Sequence, residues 1–363
     1  MGEGGVMKRV VISMVAAAIA LTACSFGESG GSAPTGSVNA GAPPSTSAGP
    51  TTAPAGQIAY SRFGAWNPDI GPYLGTFLAN PDGTNEHQLR LPARWDGAVG
   101  VWSPDGGRLV VSFGLKPDGP VGSAVVGPDG SILTMLDTRK LDVALACGAW
   151  SPEGTTLLCQ GGNDHHKNAD GIYSIRANGA GLTRLTVSPN HDTLGPKGEC
   201  GGGDGEADYS PDGTRFVFVR HRCGTGPDPS SDESAALYTE NVDGTGLRKI
   251  VDYGQVDPHP GGMVRWSPAG SEIVFGGEDG SLHTVHPDGA DPTAISLDTG
   301  GIYHFAYGPA FSPDGQWIVF SLYLRSIDAT YLYRSWLDGT HLTRVTDTQG
   351  GDAFASWGNT PPT

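Results

Sequence analysis

From residue 57 to residue 359 the chain alternates short apolar runs with clusters of turn-forming residues, and the alternation repeats. Five segments align without gaps: Trp102-Ser-Pro-Asp-Gly106, Trp150-Ser-Pro-Glu-Gly154, Tyr209-Ser-Pro-Asp-Gly213, Trp266-Ser-Pro-Ala-Gly270 and Phe311-Ser-Pro-Asp-Gly315. Each is followed by an apolar run, such as Leu109-Val-Val111, Leu157-Leu-Cys159 and Ile318-Val-Phe320. The motif serines are spaced by 48, 59, 57 and 45 residues. Pro presets the second position of a turn, Asp tolerates the third, and Gly supplies a left-handed residue leading into the next strand. Aromatic residue, turn and β-rich run together predict a hairpin. A second turn signal follows each first one, at Gly127-Pro-Asp-Gly130, Ala177-Asn-Gly179, Val242-Asp-Gly244, Pro287-Asp-Gly289 and Leu337-Asp-Gly339.

Two hairpins per repeat make a four-stranded antiparallel blade, the unit of an all-β propeller. The ends of the chain predict how many. Ile58-Ala-Tyr-Ser61 matches the second strand of a blade, Asn80-Pro-Asp-Gly83 supplies that blade's second turn, and Phe354-Ala-Ser-Trp-Gly358 matches a first strand with nothing after it. The carboxy-terminal strand is therefore expected to complete the amino-terminal blade. This closes the ring at six blades and leaves no open sheet edge. The repeats resemble the PD40 (WD40-like) repeats of TolB propellers over residues 57–359. TolB carries a further domain in place of the amino-terminal segment found here, so its partners do not transfer, and no TolB functional residue is matched beyond the repeats.

The amino terminus reads as an address. Lys8-Arg9 precede an apolar run from Val10 to Leu21, then Thr22-Ala23-Cys24. A basic start, an apolar stretch too short to span a bilayer and small residues before a Cys describe a secretory signal that resembles a bacterial lipobox. Residues 1–23 are expected to be removed, with Cys24 acylated and anchored to the cell membrane. Residues 24–56 are almost entirely Ser, Gly, Ala, Pro and Thr and predict a disordered tether; 360–363 form a short tail. The protein is expected outside the cytoplasm, as a monomer.

Composition adds two points. Gly (57) and Pro (28) disfavour long helices. The 38 acidic against 22 basic residues give −16, which excludes a basic nucleic-acid surface. Thirteen Asp residues directly precede Gly, most of them in predicted turns, so much of the acidity belongs to the repeat and indicates no particular ligand.

In a meander blade both short turns fall at one end, and the remaining connections fall at the other. Those are expected over 114–122, 161–171, 187–206, 220–235, 252–262 and 298–308. Loops on a rigid scaffold concentrate binding residues, so this end is the candidate site. It gathers Asp164, His165, His166, His191, Asp192, Asp204, Glu206, Asp257, His259, His304 and Asp352. Carboxylates there would suit Ca²⁺ and imidazoles Zn²⁺, but no spacing is a ligand pattern. Asp204-x-Glu206-x-Asp208 begins like a calcium loop, yet Tyr209 replaces its Gly and Arg215 takes the last-ligand place. No metal or other cofactor is therefore expected.

No phosphate loop or His-Glu-x-x-His is present, and Gly27-Glu-Ser-Gly-Gly31 matches a nucleophile elbow only within the tether. Two readings follow. One is a module that binds an envelope protein or small ligand. The other is a hydrolase or lyase using acids and His at the channel mouth.

Beyond Cys24, four cysteines in an exported chain favour disulfides. Hairpin register around 210–213 places Cys200 opposite Cys223. Around 151–154, a one-residue bulge places Cys147 opposite Cys159.

Overall fold

A computed structural model describes residues 55–65, 72–115, 119–136, 143–162, 169–187, 203–222, 234–256, 263–302, 304–348 and 350–359. Among them are twenty-four β-strands and no α-helix. The first three are β1 (Gln57–Phe63), β2 (Tyr73–Ala79) and β3 (His87–Gln88). Four meanders follow in chain order, each a separate four-stranded antiparallel sheet. One holds β4 (Trp95–Trp102), β5 (Leu109–Leu115), β6 (Gly119–Val126) and β7 (Ile132–Leu136). The next holds β8 (Ala144–Trp150), β9 (Thr156–Gly162), β10 (Gly171–Arg176) and β11 (Thr183–Arg184). Then come β12 (Asp204–Tyr209), β13 (Arg215–Arg222), β14 (Ser234–Asn241) and β15 (Arg248–Val256), and after them β16 (Arg265–Trp266), β17 (Ile273–Gly276), β18 (Leu282–Val285) and β19 (Thr293–Ala294). The chain ends with β20 (His304–Phe311), β21 (Trp317–Leu324), β22 (Ala329–Trp336), β23 (Thr343–Arg344) and β24 (Gly351–Gly358).

The repeats predict two further separate blades from the remaining strands, and here the structure differs. β20–β23 and β24 with β1–β3 form one eight-stranded sheet. A single parallel pair, Thr330 with Gly351, joins its halves. β24 lies antiparallel to β1, with Ile58 opposite Trp357 and Ser61 opposite Ala353. The first strands of the sheets touch in the order β24, β4, β8, β12, β16, β20 and again β24, which arranges the sheets in a ring.

The apolar runs are unbroken because the middle strands are covered on both faces. β5 and β21 are buried almost throughout. Clusters such as Ala59, Leu78, Trp102, Leu109 and Val111 fill the space between neighbouring sheets. Hydroxyls stitch the same gaps. Ser61 and Thr76 both donate to the Ala98 carbonyl of the next sheet, at 2.6 and 2.7 Å. Ser112 donates to Cys147 O and accepts from Cys147 N, at 2.9 and 2.7 Å. These bonds satisfy first-strand backbone groups that face away from their own sheet.

Each motif turn closes over more residues than its four letters suggest. In Ser210-Pro-Asp-Gly213 the Ser N–H donates to Arg215 O at 2.9 Å, and Gly213, at φ 69°, donates to Ser210 O. Tyr209 therefore faces Phe216, and Asp204 faces Arg220. That register lies outside the alignment that puts Cys200 opposite Cys223, and both of those cysteines fall outside the described residues. In the neighbouring sheet a bulge between Cys147 and Ala149 sets Cys147 opposite Cys159. These two form a disulfide, as the register predicts.

Several connections are shorter than expected. Of 114–122 only 116–118 separate β5 from β6, and β15 extends through Val256 into the segment expected as loop.

Candidate functional site

Three predicted site residues occupy corresponding places. Asp204, His304 and Asp352 stand at the starts of the first strands β12, β20 and β24, at the end carrying the longer connections. The two acids are not free to bind. Asp204 takes a two-pronged ion pair from Arg220, Nε to Oδ1 at 2.6 Å and Nη2 to Oδ2 at 2.8 Å. Asp352 takes the same from Arg62, at 2.7 and 3.1 Å. Each Asp lies five residues before its motif aromatic (Tyr209, Trp357), and each Arg lies four residues into its apolar run, so the device recurs at one blade position.

The Arg62 pair is the more elaborate. Arg62 also donates to both Glu86 oxygens at 2.9 Å, and Tyr60 OH donates to Glu86 at 2.5 Å. Burial works against the Arg62 charge, but hydrogen bonds to Glu86 and Asp352 outweigh it and hold the guanidinium pKa above its usual value. Burial raises the Asp352 carboxyl above the ordinary range, with Arg62 pulling it back. Burial first, then the bond to Glu86, keeps the Tyr60 phenol protonated.

His304 Nδ1 sits 3.2 Å from Thr299 Oγ1 and 3.1 Å from Ile302 O. Glu206 lies on β12 at φ 54°, part of a bulge between Gly205 and Asp208. The sequence that begins like a calcium loop is thus a bulged strand, with its first acid engaged by Arg220. Asp164, His165, His166, His191, Asp192, Asp257 and His259 lie outside the described residues, as does Cys24. Among the described residues no group of three His, Cys, Asp or Glu side chains is placed to hold a metal ion.

A cavity of about 320 Å³ lies at the other end of the channel, the end bearing the motif turns. Its lining includes the aromatic of every motif and its counterpart on β24: Trp102, Trp150, Tyr209, Trp266, Phe311 and Trp357. The motif prolines stand around them. The serines are spent within their own turns: Ser210 Oγ donates to Asp212 and accepts from Arg215 N. Two charged residues line the same cavity, Asp208 on β12 and Arg265 on β16. Asp208 Oδ2 accepts from Trp266 N at 2.8 Å, and Ser356 Oγ accepts from Trp102 N in the same way between β24 and β4. Burial pushes the Asp208 carboxyl up, while Arg265 draws it part of the way back. Sequence reasoning placed the site at the opposite end. The signal it passed over is that four of the six residues preceding a channel aromatic are small or apolar, while the other two are Asp208 and Arg265.

No protein-family model matches the chain. Among solved structures, TolB from Acinetobacter baumannii aligns at a TM-score of 0.56 and 17% identity, covering 83% of this chain and 66% of that one. The chain has a β-propeller fold. Hydrazine synthase from Kuenenia stuttgartiensis (TM-score 0.60, 14% identity, 84% of this chain and 46% of that one) shares that fold, as does the tricorn protease (0.52, 15%, 82% and 27%). At these identities the likeness concerns the fold alone. By sequence the propeller is 30% identical over 180 residues to an uncharacterized protein of Agrobacterium fabrum, covering 46% of this chain and 51% of that protein. It is 27% identical over 155 residues to an uncharacterized peptidase of Bacillus subtilis, covering 33% of this chain and 22% of that one. The chain thus spans about half the length of the first relative and less of the second.

Proposed function

We propose that this chain is a lipid-anchored, extracytoplasmic binding module: a six-bladed propeller that engages an envelope protein or small ligand through the end carrying its longer connections. The count of six treats the eight-stranded sheet as two blades meeting at the lone parallel pair, with β24 completing the blade of β1–β3. In this reading Cys24 is acylated and 24–56 hold the domain clear of the membrane. The Cys147–Cys159 disulfide suits an oxidising compartment.

The observation that carries the reading is apolar exposure at that end. Leu74 at the start of β2, Val187 after β11 and Ile327 between β21 and β22 are 50%, 67% and 47% exposed. Apolar side chains held out by a rigid ring suit a protein partner. Affinity capture from envelope extracts tests this with the full chain and a Leu74→Glu/Ile327→Glu variant. The account expects a partner retained by the first and lost by the second, with both melting alike. Equal retention by both excludes this face.

The alternative is a hydrolase or lyase acting at the channel mouth, and the peptidase relative lends it support. Against it, Asp204 and Asp352 are each committed to an arginine.

A further inference from the structure

At the turn-bearing end, six positions immediately precede the channel aromatics: Val101, Ala149, Asp208, Arg265, Ala310 and Ser356, all lining the cavity. Three are apolar. Ser356 is occupied in bonding Trp102 N. The two on neighbouring strands β12 and β16 carry full and opposite charges. Arg265 acts on the Asp208 carboxyl electrostatically, yet among the described residues no close ion pair joins the two side chains, although opposite charges side by side would ordinarily close on one another. Asp208 accepts from Trp266 N at Oδ2 and also from the Tyr209 backbone N–H, and a carboxylate's four lone pairs leave further acceptor capacity. Arg265 is 9% exposed and spends Nη1 on Val264 O and Nη2, at 3.5 Å, on the weak acceptor Met263 Sδ. A guanidinium has five donors, so several remain.

Asp208 and Arg265 thus bring opposite charges to a cavity otherwise lined mostly by aromatic, Pro, Ala and Val residues. Its volume of about 320 Å³ lies at the lower limit of ligand pockets, which start at roughly 300 Å³. A molecule that satisfies this lining carries an ammonium for Asp208, a carboxylate for Arg265 and an apolar body for the aromatics.

We propose that this cavity binds a small zwitterion of the α-amino-acid class with an apolar or aromatic side chain. The ammonium sits against Asp208, the carboxylate against Arg265, and the side chain lies among the motif aromatics. A fixed pair of opposite charges discriminates against ligands missing either one, because the unmatched protein charge then stays buried and unpaired. The site lies at the opposite end of the channel from the surface proposed above for a partner and does not depend on it.

The test is calorimetric titration of the full chain with phenylalanine, phenethylamine (no carboxylate) and 3-phenylpropionate (no amine). The expected result is saturable binding of phenylalanine, with each single-charge analogue at least ten-fold weaker. Asp208→Asn keeps an oxygen for Trp266 N and should bring 3-phenylpropionate level with phenylalanine; Arg265→Gln should do the same for phenethylamine. Thermal melts establish that each variant is folded. If either fails to fold, the three-ligand comparison on the unaltered chain still decides. Absence of heat with phenylalanine, equal binding of all three compounds, or discrimination surviving in both folded variants would overturn the assignment. None of these outcomes bears on capture of a partner at the other end.

Discussion

Arg62 and Asp352 form a buried two-pronged ion pair that ties β1 to β24 across 290 residues of sequence. A pair in that position couples the two chain ends through charge as well as through the strand ladder. Removing Arg62 leaves Asp352 buried and uncompensated, at a cost of about 3–5 kcal/mol. Removing Asp352 costs less, because Arg62 keeps its bonds to Glu86. Arg62→Met should therefore lower stability by about 3–5 kcal/mol in urea unfolding and Asp352→Leu by less, and adding Asp352→Leu to Arg62→Met should recover part of the loss. A loss below about 1 kcal/mol in Arg62→Met would mean the pair does not hold the ends together.

The hairpin disulfide closes a loop with a sequence separation of 12. Loop-closure entropy alone assigns such a link about 3 kcal/mol. Cys147→Ser/Cys159→Ser should unfold at correspondingly lower urea than the oxidised protein. Non-reducing peptide mapping should recover Cys147 linked to Cys159 before substitution.

Two aspartates in one hairpin should titrate in opposite senses. Asp212 accepts from Ser210 Oγ first, then from Thr214, which pulls its carboxyl down to about 2. Its folded value lies below the ordinary one, so its contribution is present above about pH 4 and is lost as pH falls towards 2. Asp212→Asn should flatten the loss of stability over that window. Asp212 is exposed, so the effect is small.

Asp208 is the reverse case, since burial raises its carboxyl. The folded state resists its ionisation, so a penalty appears as pH rises above about 4. Asp208→Asn retains the acceptor for Trp266 N and removes that penalty. The variant should therefore gain on the unaltered protein at pH 7 and lose the advantage at pH 3. Denaturant midpoints at the two pH values check both signs.

Much of the scaffold was legible because its turns are written in local chemistry. Pro104, Asp105 and Gly106 announce a turn whatever surrounds them, and Gly106 indeed takes φ 68°. The Cys147–Cys159 link was legible for the same reason, needing only hairpin register and one bulge. Long-range partners were not. Nothing near Asp204 or Asp352 in sequence announces an arginine two-pronged against it, so both look like available acids. The serine of the motif reads as a generic turn residue until Ser210 is seen accepting from Arg215 N. The channel cavity was illegible because it is assembled from one short segment of every repeat. The opposition of Asp208 and Arg265 exists only once β12 and β16 are neighbours.

The most direct test of the proposed function is to ask which end of the propeller touches a partner in the living cell. A photo-activatable residue at Arg222 or Ser326 reports on the end with the longer connections; one at Asp105 or Asp243 reports on the motif-turn end. The account predicts a discrete adduct with an envelope protein from Arg222 or Ser326 and none from Asp105 or Asp243. Adducts confined to the turn end, or none from any of the four positions, would contradict it.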